Sequence, residues 1–294
     1  MASIMTGTLN TPGTLFSRDR SGSFLIGNIA KYFLLSLLAI ACFYPFIWMV
    51  SASLKTDADI INYPIQLITS TMTTQNYLRI WRRIPFLMLY RNSMIFSGSV
   101  VACGLFFGSL AGYAYARMNF KGRNLLFILV LSTMMIPFQV IMIPLFMELK
   151  WFGLMDTFAA LILPRACGAF EVFMMRSFFV SLPRELEESA RMDGCNEFRI
   201  YAQIMLPLCK PAFLSCGMFI FNGNWNDLLF PMLVTSDDKM RTLQAGIALL
   251  MGRDIAEYGM MMAGAAIAVM PILVIYLILQ RYFIQGIVMT GIKG

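Results

Sequence analysis

Apolar residues occur in six long blocks along the chain, separated by shorter polar segments. Each block is long enough to cross a bilayer as a helix, which takes about 20 residues. The blocks are Tyr32–Leu54, Ser93–Ala116, Leu125–Met147, Thr157–Val180, Pro211–Val234 and Met260–Ile284. Proline lies inside several blocks, which predicts kinks whose freed backbone groups are satisfied by neighbouring helices. The pattern therefore predicts an all-α polytopic membrane protein, a bent bundle of six transmembrane helices.

The composition agrees with this pattern and excludes several kinds of chemistry. Of the 294 residues, 59% are apolar and only 13% are charged, whereas a soluble domain is nearer half and a quarter. There is no histidine, so a Ser-His-Asp triad and a His-ligated zinc site are absent. The six cysteines form no C-x-x-C pair, and we expect buried, reduced thiols. We therefore expect neither catalytic residues nor a metal site.

The basic residues predict the orientation in the membrane. Six spans place both termini on one side, and Arg117, Lys121 and Arg123 crowd into one short turn on that side. Short basic loops face the cytoplasm, so both termini are expected there. The net charge of +7 then indicates loops facing anionic lipid rather than nucleic-acid binding. We expect a flexible cytoplasmic tail at residues 1–27 and a single transmembrane domain at residues 28–294.

Residues 181–210 are too charged to cross a membrane and too organised for a plain linker. Pro183 and the acidic residues after it are typical of a helix start. Gly194 indicates a stop, and Asn196 can cap a second helix. The segment is therefore expected to form two short helices joined at a sharp corner, the second of which ends at Pro207. The residues alone leave open whether this segment lies on lipid or docks into a groove on a soluble partner.

The spacing of residues in this segment resembles the EAA loop of ABC importer permeases, and we therefore call residues 181–210 the coupling loop. Glu188-Ser189-Ala190 is followed after three residues by Gly194, and after nine more by Ile204-Met205-Leu206-Pro207. Ser189, where the motif usually has alanine, is the one departure. Residues 112–117 (GYAYAR) and 225–227 (WND) extend the resemblance to the carbohydrate-uptake branch, in particular to the second permease of the maltose importer.

This resemblance implies a bacterial plasma-membrane assembly of two different permeases, two ATP-binding subunits and an extracytoplasmic solute-binding protein. The chain has no phosphate-binding G-x-x-x-x-G-K-[ST] loop, so ATP and magnesium would be bound by the partner ATPase and no cofactor by this chain. Movement of the ATPase would then drive alternating access to a carbohydrate site. The residues that the resemblance assigns to ATPase coupling are Glu188, Ser189, Ala190, Asp193, Gly194, Ile204, Leu206 and Pro207.

Polar residues inside the apolar blocks are the candidates for the translocation path, because charges within a bilayer should face a cavity or a partner. They are Arg165, Glu171, Asn222, Trp225, Asn226 and Asp227. Asn222 and Asn226 are four residues apart and share a helical face, and Trp225 offers a ring for stacking on a sugar. Hydrogen bonding to the sister permease is the structural alternative.

Arg165 carries a hypothesis of its own, since a cation in mid-span can attract an acidic sugar such as a uronate oligosaccharide. Pairing with a carboxylate of the neighbouring permease, or a place near the membrane edge, are the alternatives. Other solutes (glycerol phosphate, a polyamine or an amino acid) and other classes (a channel or a membrane enzyme) also stay open. The enzyme is disfavoured because the chain lacks histidine and the few acidic residues within the apolar blocks are not paired at short helical spacing.

Overall fold

All regular structure in the described part of the chain is helical. The computed structural model describes the backbone of residues 20–62, 64, 66–250 and 257–291 and, within these, the side chains of residues 28–62, 64, 66–250 and 257–281. The α-helices are α1 Arg20–Ser53, α2 Asp57–Ile61, α3 Gln75–Arg83, α4 Phe86–Arg117, α5 Arg123–Thr133, α6 Phe138–Trp151, α7 Phe158–Ile162, α8 Ala169–Ser181, α9 Glu185–Met192, α10 Glu197–Ile200, α11 Leu206–Leu208, α12 Lys210–Trp225, α13 Leu229–Val234, α14 Leu243–Ala248 and α15 Tyr258–Gly291. A 3-10 turn at Leu163–Arg165 follows α7, and a π-helix at Tyr201–Met205 separates α10 from α11.

The chain divides into two compact units, residues 1–49 and residues 50–294. The first unit contains α1 as far as Met49. Helix α1 begins at Arg20, inside the segment 1–27 that the sequence predicts as a tail; residues 1–19 of that segment lie outside the described residues. The division into a tail at residues 1–27 and a transmembrane domain at residues 28–294 stays a prediction. Helix α1 extends beyond the apolar block because helix propagation adds one backbone bond per residue and needs no apolar side chain.

Within the described residues, three helical segments are long and apolar enough to cross a membrane singly: Asn28–Ser53 in α1, the whole of α4, and Tyr258–Arg281 in α15. Three further helix pairs pass the same test together but are bent. The bend is 92° between α5 and α6, 43° between the α7 segment and α8, and 81° between Glu197–Leu208 and α12. The structure therefore accommodates up to six spans, half of them bent.

The bends coincide with residues that interrupt backbone hydrogen bonding. Pro137 immediately precedes α6, and Pro164 lies in the 3-10 turn before α8. Proline has no N–H to donate and clashes with the preceding turn, so it suits a helix start and ends the helix before it. The predicted block Pro211–Val234 also forms two helices rather than one, because residues 226–228 separate α12 from α13.

A row of glycines lets α4 pack closely on α8. Gly104, Gly108 and Gly112 recur every four residues along one face of α4. A Cβ atom on Gly108 would lie 2.5 Å from Cβ of Glu171, and one on Gly112 would lie 2.8 Å from Cβ of Met175. Small residues at this spacing allow helix backbones to approach within a membrane. The α4–α8 contact is the frame to which the coupling loop is attached.

Candidate functional site

The first helix of the coupling loop ends at the corner that the sequence predicts. The N–H of Cys195 donates to the carbonyl of Ala190, and the N–H of Gly194 donates to the carbonyl of Arg191, both at 3.0 Å. These two bonds form a Schellman motif, which needs a left-handed residue after the helix. Gly194 has a φ of +80° and supplies it. The corner is therefore determined by local sequence.

The second helix of the loop starts as predicted but continues further. Asn196 caps α10, accepting a hydrogen bond from the N–H of Arg199 at 2.8 Å. The helix then widens into the π-helix and resumes as α11, which contains Pro207 and ends at Leu208. The helix therefore ends one residue after Pro207. The widened turn precedes it because proline cannot donate the bond that a regular α-turn would require.

The residues that the resemblance assigns to ATPase coupling differ in exposure. Ala190 is buried, Ile204 and Leu206 are half-buried, and the exposed members are Glu188, Ser189, Asp193, Gly194 and Pro207. Two large apolar side chains are exposed beside them, Met192 at 88% and Phe198 at 66%. Glu188 and Met192 lie four residues apart on one face of α9. We call Glu188, Met192 and Phe198 the loop surface; the sequence analysis had not singled out Met192.

A buried ion pair anchors the loop to the membrane helices. Nε of Arg117, at the end of α4, lies 3.0 Å from Oε1 of Glu187 in α9, and the two side chains are only 3% and 4% exposed. The same guanidinium donates to the carbonyls of Phe179 and Leu182 at the end of α8. Arg117 thus connects α4, α8 and α9 through one side chain. No local pattern in the sequence indicates this pair, because its members are far apart along the chain.

A second, more exposed set of contacts surrounds this anchor. Arg191 lies 3.6 Å from Glu187 and donates to Glu197 at 2.7 Å. The hydroxyl of Tyr113 in α4 donates to the same Glu197 carboxylate at 3.0 Å. The hydrogen bond from Arg191 lowers the pKa of Glu197, whereas burial raises the pKa of Glu187 against the opposing charge of Arg117. The coupling loop is therefore held to α4 by charged groups from both of its helices.

Among the candidates for the translocation path, Arg165 and Asp227 form an ion pair within this chain. Nη2 of Arg165 lies 2.5 Å from Oδ2 of Asp227, with 22% and 14% of the side chains exposed. The guanidinium is also 4.2 Å from the ring centre of Phe138 and 5.2 Å from that of Phe230. Both charged residues lie where helices are interrupted, before α8 and before α13. The structure thus adds an intrachain partner to the alternatives weighed for Arg165.

Asn222 of α12 and Asn226, the residue directly after this helix, form an exposed polar strip. Nδ2 of Asn226 donates to Oδ1 of Asn222 at 2.9 Å, and Nε2 of Gln244 lies 3.4 Å from Oδ1 of Asn226. Asn222 is about 18 Å along the axis from Lys210, where α12 starts, at 1.5 Å per residue. Gln244 is a member that the sequence analysis did not name.

Trp225 and Glu171 are placed differently from this strip. The indole of Trp225 is buried; it donates to the carbonyl of Ala268 at 2.9 Å and stacks on Phe221 at 5.4 Å. Glu171 is 8% exposed and lies in the first turn of α8 against the glycines of α4. Both side chains therefore contact this chain's own core.

These features define a class of protein, an all-helical polytopic membrane protein with a folded, charged loop between two of its apolar segments. Within the described residues, no group of three or more acidic or cysteine side chains is placed to hold a metal ion. Residues 104–289 match the family of binding-protein-dependent transport system inner membrane components, and the chain belongs to this family. It is therefore a permease subunit of the inner membrane, which confirms the resemblance drawn from the EAA-like spacing.

Individual relatives agree with this assignment. The chain is 35% identical over 262 residues to the arabinooligosaccharides transport system permease protein AraQ of Halalkalibacterium halodurans, covering 88% of this chain and 94% of that protein. It is 32% identical over 263 residues to the trehalose/maltose transport system permease protein MalG of Thermococcus litoralis, again covering 88% and 94%.

One solved structure shows the same fold. A chain of a bacterial ABC transporter involved in the import of the acidic polysaccharide alginate superposes with a TM-score of 0.77 at 24% identity, covering 91% of this chain and all of that one. At this identity the likeness concerns the arrangement of the helices. It confirms an all-helical polytopic permease architecture.

Proposed function

We propose that this chain is a carbohydrate-translocating subunit of an ATP-driven importer, with both termini and the coupling loop in the cytoplasm. The observation that carries the proposal is the coupling loop, which exposes Met192 and Phe198 outward and is anchored inward by Arg117 and Glu187. A loop built in this way can receive a force from a soluble partner and pass it to α4 and α8. The relatives named for arabinooligosaccharides and trehalose/maltose support a sugar as the cargo.

The loop surface fits a groove on a separate ATP-binding subunit. Its exposed apolar side chains supply contact area, and Glu188 supplies a charge for a basic residue of the partner. Two such ATPase subunits would serve this chain and a second, different permease, and ATP and magnesium would be bound there. A solute-binding protein would deliver the cargo at the opposite side of the membrane.

Movement of the partner would reach the membrane helices through the buried anchor. Because Arg117 forms an ion pair with Glu187 of α9 and donates to two carbonyls at the end of α8, a displacement of α9 moves α4 and α8 with it. Rigid-body motion of packed helices is a common route to switching between two states. The anchor thus converts closure of the ATPase into a change in which side of the membrane the cargo cavity faces.

The exposed strip on α12 is the part of this chain that we assign to the cargo. Asn222, Asn226 and Gln244 carry both donors and acceptors, which match the hydroxyl groups of a sugar. Amides are neutral, so the strip favours a carbohydrate over glycerol phosphate or a polyamine. Trp225, Glu171 and the Arg165–Asp227 pair then act behind this strip by holding the helices that carry it.

An acidic oligosaccharide is the second candidate, favoured by the cation of Arg165 in mid-span. Its charge is already balanced by Asp227 at 2.5 Å, so the pair attracts a uronate less than a free cation would. We therefore place neutral sugars first. If Arg165→Gln abolished uptake of a uronate oligosaccharide while neutral sugars were still transported, the acidic cargo would be established instead.

Purification of the chain from native membranes, with mass spectrometry of what accompanies it, tests the assembly. The proposal requires an ATPase subunit with a phosphate loop and a second permease in the same particle. Recovery of this chain alone, or with copies of itself only, would refute it. In the reconstituted importer, Asn226→Leu should reduce sugar uptake while leaving the particle assembled, as judged by size-exclusion chromatography.

A further inference from the structure

The geometry points to a binding site for an anionic phospholipid between α3 and the start of α4, at the membrane surface opposite the coupling loop. A cavity of about 400 Å³ lies there. Its walls are formed by Trp81, Pro85, Phe86, Leu87, Met88 and Arg91. Five of these residues are apolar or aromatic and one is a cation, a combination that suits a ligand with an apolar body and an anionic end.

The height of Arg91 in the membrane matches the phosphate layer. Helix α4 has 32 residues and is therefore about 48 Å long, whereas the hydrocarbon core is about 30 Å thick. A centred, upright helix would extend about 9 Å beyond the core at each end. Arg91, five residues from the first residue of α4, lies about 8 Å from that end. Its guanidinium therefore reaches the boundary between acyl chains and headgroups.

Helix α3 has the character of an interfacial segment. Asn76 and Ile80 are buried, while Leu78 and Trp81 are 58% and 51% exposed. Tryptophan is enriched at the headgroup level, where its ring meets lipid on one side and water on the other. Trp81 also packs on Phe86 with ring centres 5.1 Å apart, so the cavity wall is continuous from α3 to α4. Exposed apolar side chains at this depth favour lipid over a water-filled surface.

The charge of the segment favours an anion. Between Gln75 and Asn92 the chain has four arginines, at positions 79, 82, 83 and 91, and no acidic residue. Among the described residues, only Arg83 of these four has an ion pair, with Glu257 at 4.0 Å between two exposed side chains, which is weak. Each basic residue near a membrane surface contributes about fivefold to binding of anionic lipid. Phosphatidylglycerol, with its single negative charge, meets both requirements.

The test uses the complete importer particle purified in detergent and a photoactivatable phosphatidylglycerol. After illumination, mass spectrometry would map the crosslink, which we expect on the peptide that contains residues 81–91. Unlabelled phosphatidylglycerol should compete for that site, and phosphatidylcholine should not. Arg91→Gln should reduce labelling of the peptide about fivefold, and Arg91→Lys should restore most of it because the charge is kept.

Lys121→Gln is the matched control, since it removes one cation at the other end of α4, and labelling of residues 81–91 should be unchanged. The proposal fails if Arg91→Gln labels as strongly as this control, or if phosphatidylcholine competes equally well. It also fails if the solute-binding protein blocks the crosslink while phosphatidylglycerol does not, because the surface would then bind protein. Elution of each variant as an intact particle excludes misfolding as the cause.

Discussion

Replacing Arg117 by methionine removes the cation that holds the coupling loop to the membrane helices while keeping the bulk of the side chain. The change leaves Glu187 buried without its closest partner and frees the carbonyls of Phe179 and Leu182. Because both side chains of the pair are at most 4% exposed, solvent cannot replace the lost contacts. Removing one member of a buried pair costs about 3–5 kcal/mol, and we expect Arg117→Met to destabilise the chain by that amount.

A milder change at the other member separates charge from packing. Glu187→Gln keeps an acceptor for Arg117 and leaves both carbonyl contacts in place, so we expect a loss of about 1.5–3 kcal/mol. Combining the two changes should cost less than the sum of the single effects, with an interaction energy of about 1–3 kcal/mol. The assay is unfolding of the purified chain in mixed micelles by increasing SDS, followed by circular dichroism.

The same variants should uncouple the importer if the anchor transmits movement. In the reconstituted particle, Glu187→Gln should retain ATP hydrolysis but transport less sugar per ATP. Arg123→Met is the control for loss of a cation, since Arg123 donates only to the carbonyl of Met118 at 3.1 Å, and it should change stability by no more than about 0.5 kcal/mol. The reasoning would be refuted if Arg117→Met were no more destabilising than this control.

Three further predictions concern the same frame. Gly108→Ala would place a Cβ atom 2.5 Å from Cβ of Glu171, and we expect it to lower the stability measured by SDS unfolding by about 1–3 kcal/mol. Gly98→Ala is the control: a Cβ atom there has no neighbour within 4 Å, so this change should be neutral or stabilising. Equal effects of the two variants would contradict the close packing of α4. In Gly194→Ala the new Cβ atom would meet no atoms within 4 Å, but alanine would have to adopt the left-handed φ of +80°. We therefore expect a loss of stability of about 1–2 kcal/mol and weaker ATPase binding in pull-down experiments. Unchanged stability would show that the corner tolerates a side chain. The hydrogen bond from Arg191 lowers the pKa of Glu197, so this contact stabilises the fold above the ordinary carboxyl pKa of 4.5 and stops doing so as the pH falls through the lowered value. Glu197→Gln should therefore remove this loss of stability at acid pH, as measured by SDS unfolding at a series of pH values. If the variant and the original chain lost stability identically with pH, the contact would not contribute.

The lipid site and the coupling loop lie at opposite ends of α4, which gives this helix two tasks. Its last turn carries Arg117, and its first turns carry Phe86 and Arg91. The glycines between these two ends allow α4 to pack closely against α8. A lipid that fixes the level of Arg91 would therefore also fix the level at which the loop meets its partner.

Features that depend on neighbours along the chain could be predicted from the amino-acid sequence. Apolar runs long enough for a bilayer predicted the membrane class, since span length follows from the thickness of the hydrocarbon core. The corner at Gly194 and the cap at Asn196 were predicted because each is built from bonds within a few residues. The EAA-like spacing indicated the family for the same reason, because its residues lie within one short loop.

Tertiary structure alone decided which distant residues meet. Arg117 and Glu187 are separated by 70 positions, and Arg165 and Asp227 by 62, so no local period connects them. The strong bend between α5 and α6, and the exposure of Asn222 beside the burial of Trp225, depend likewise on how helices pack. Helical periodicity predicts which residues share a face of one helix. Which partner that face meets is set by close packing among helices that the chain brings together from far apart.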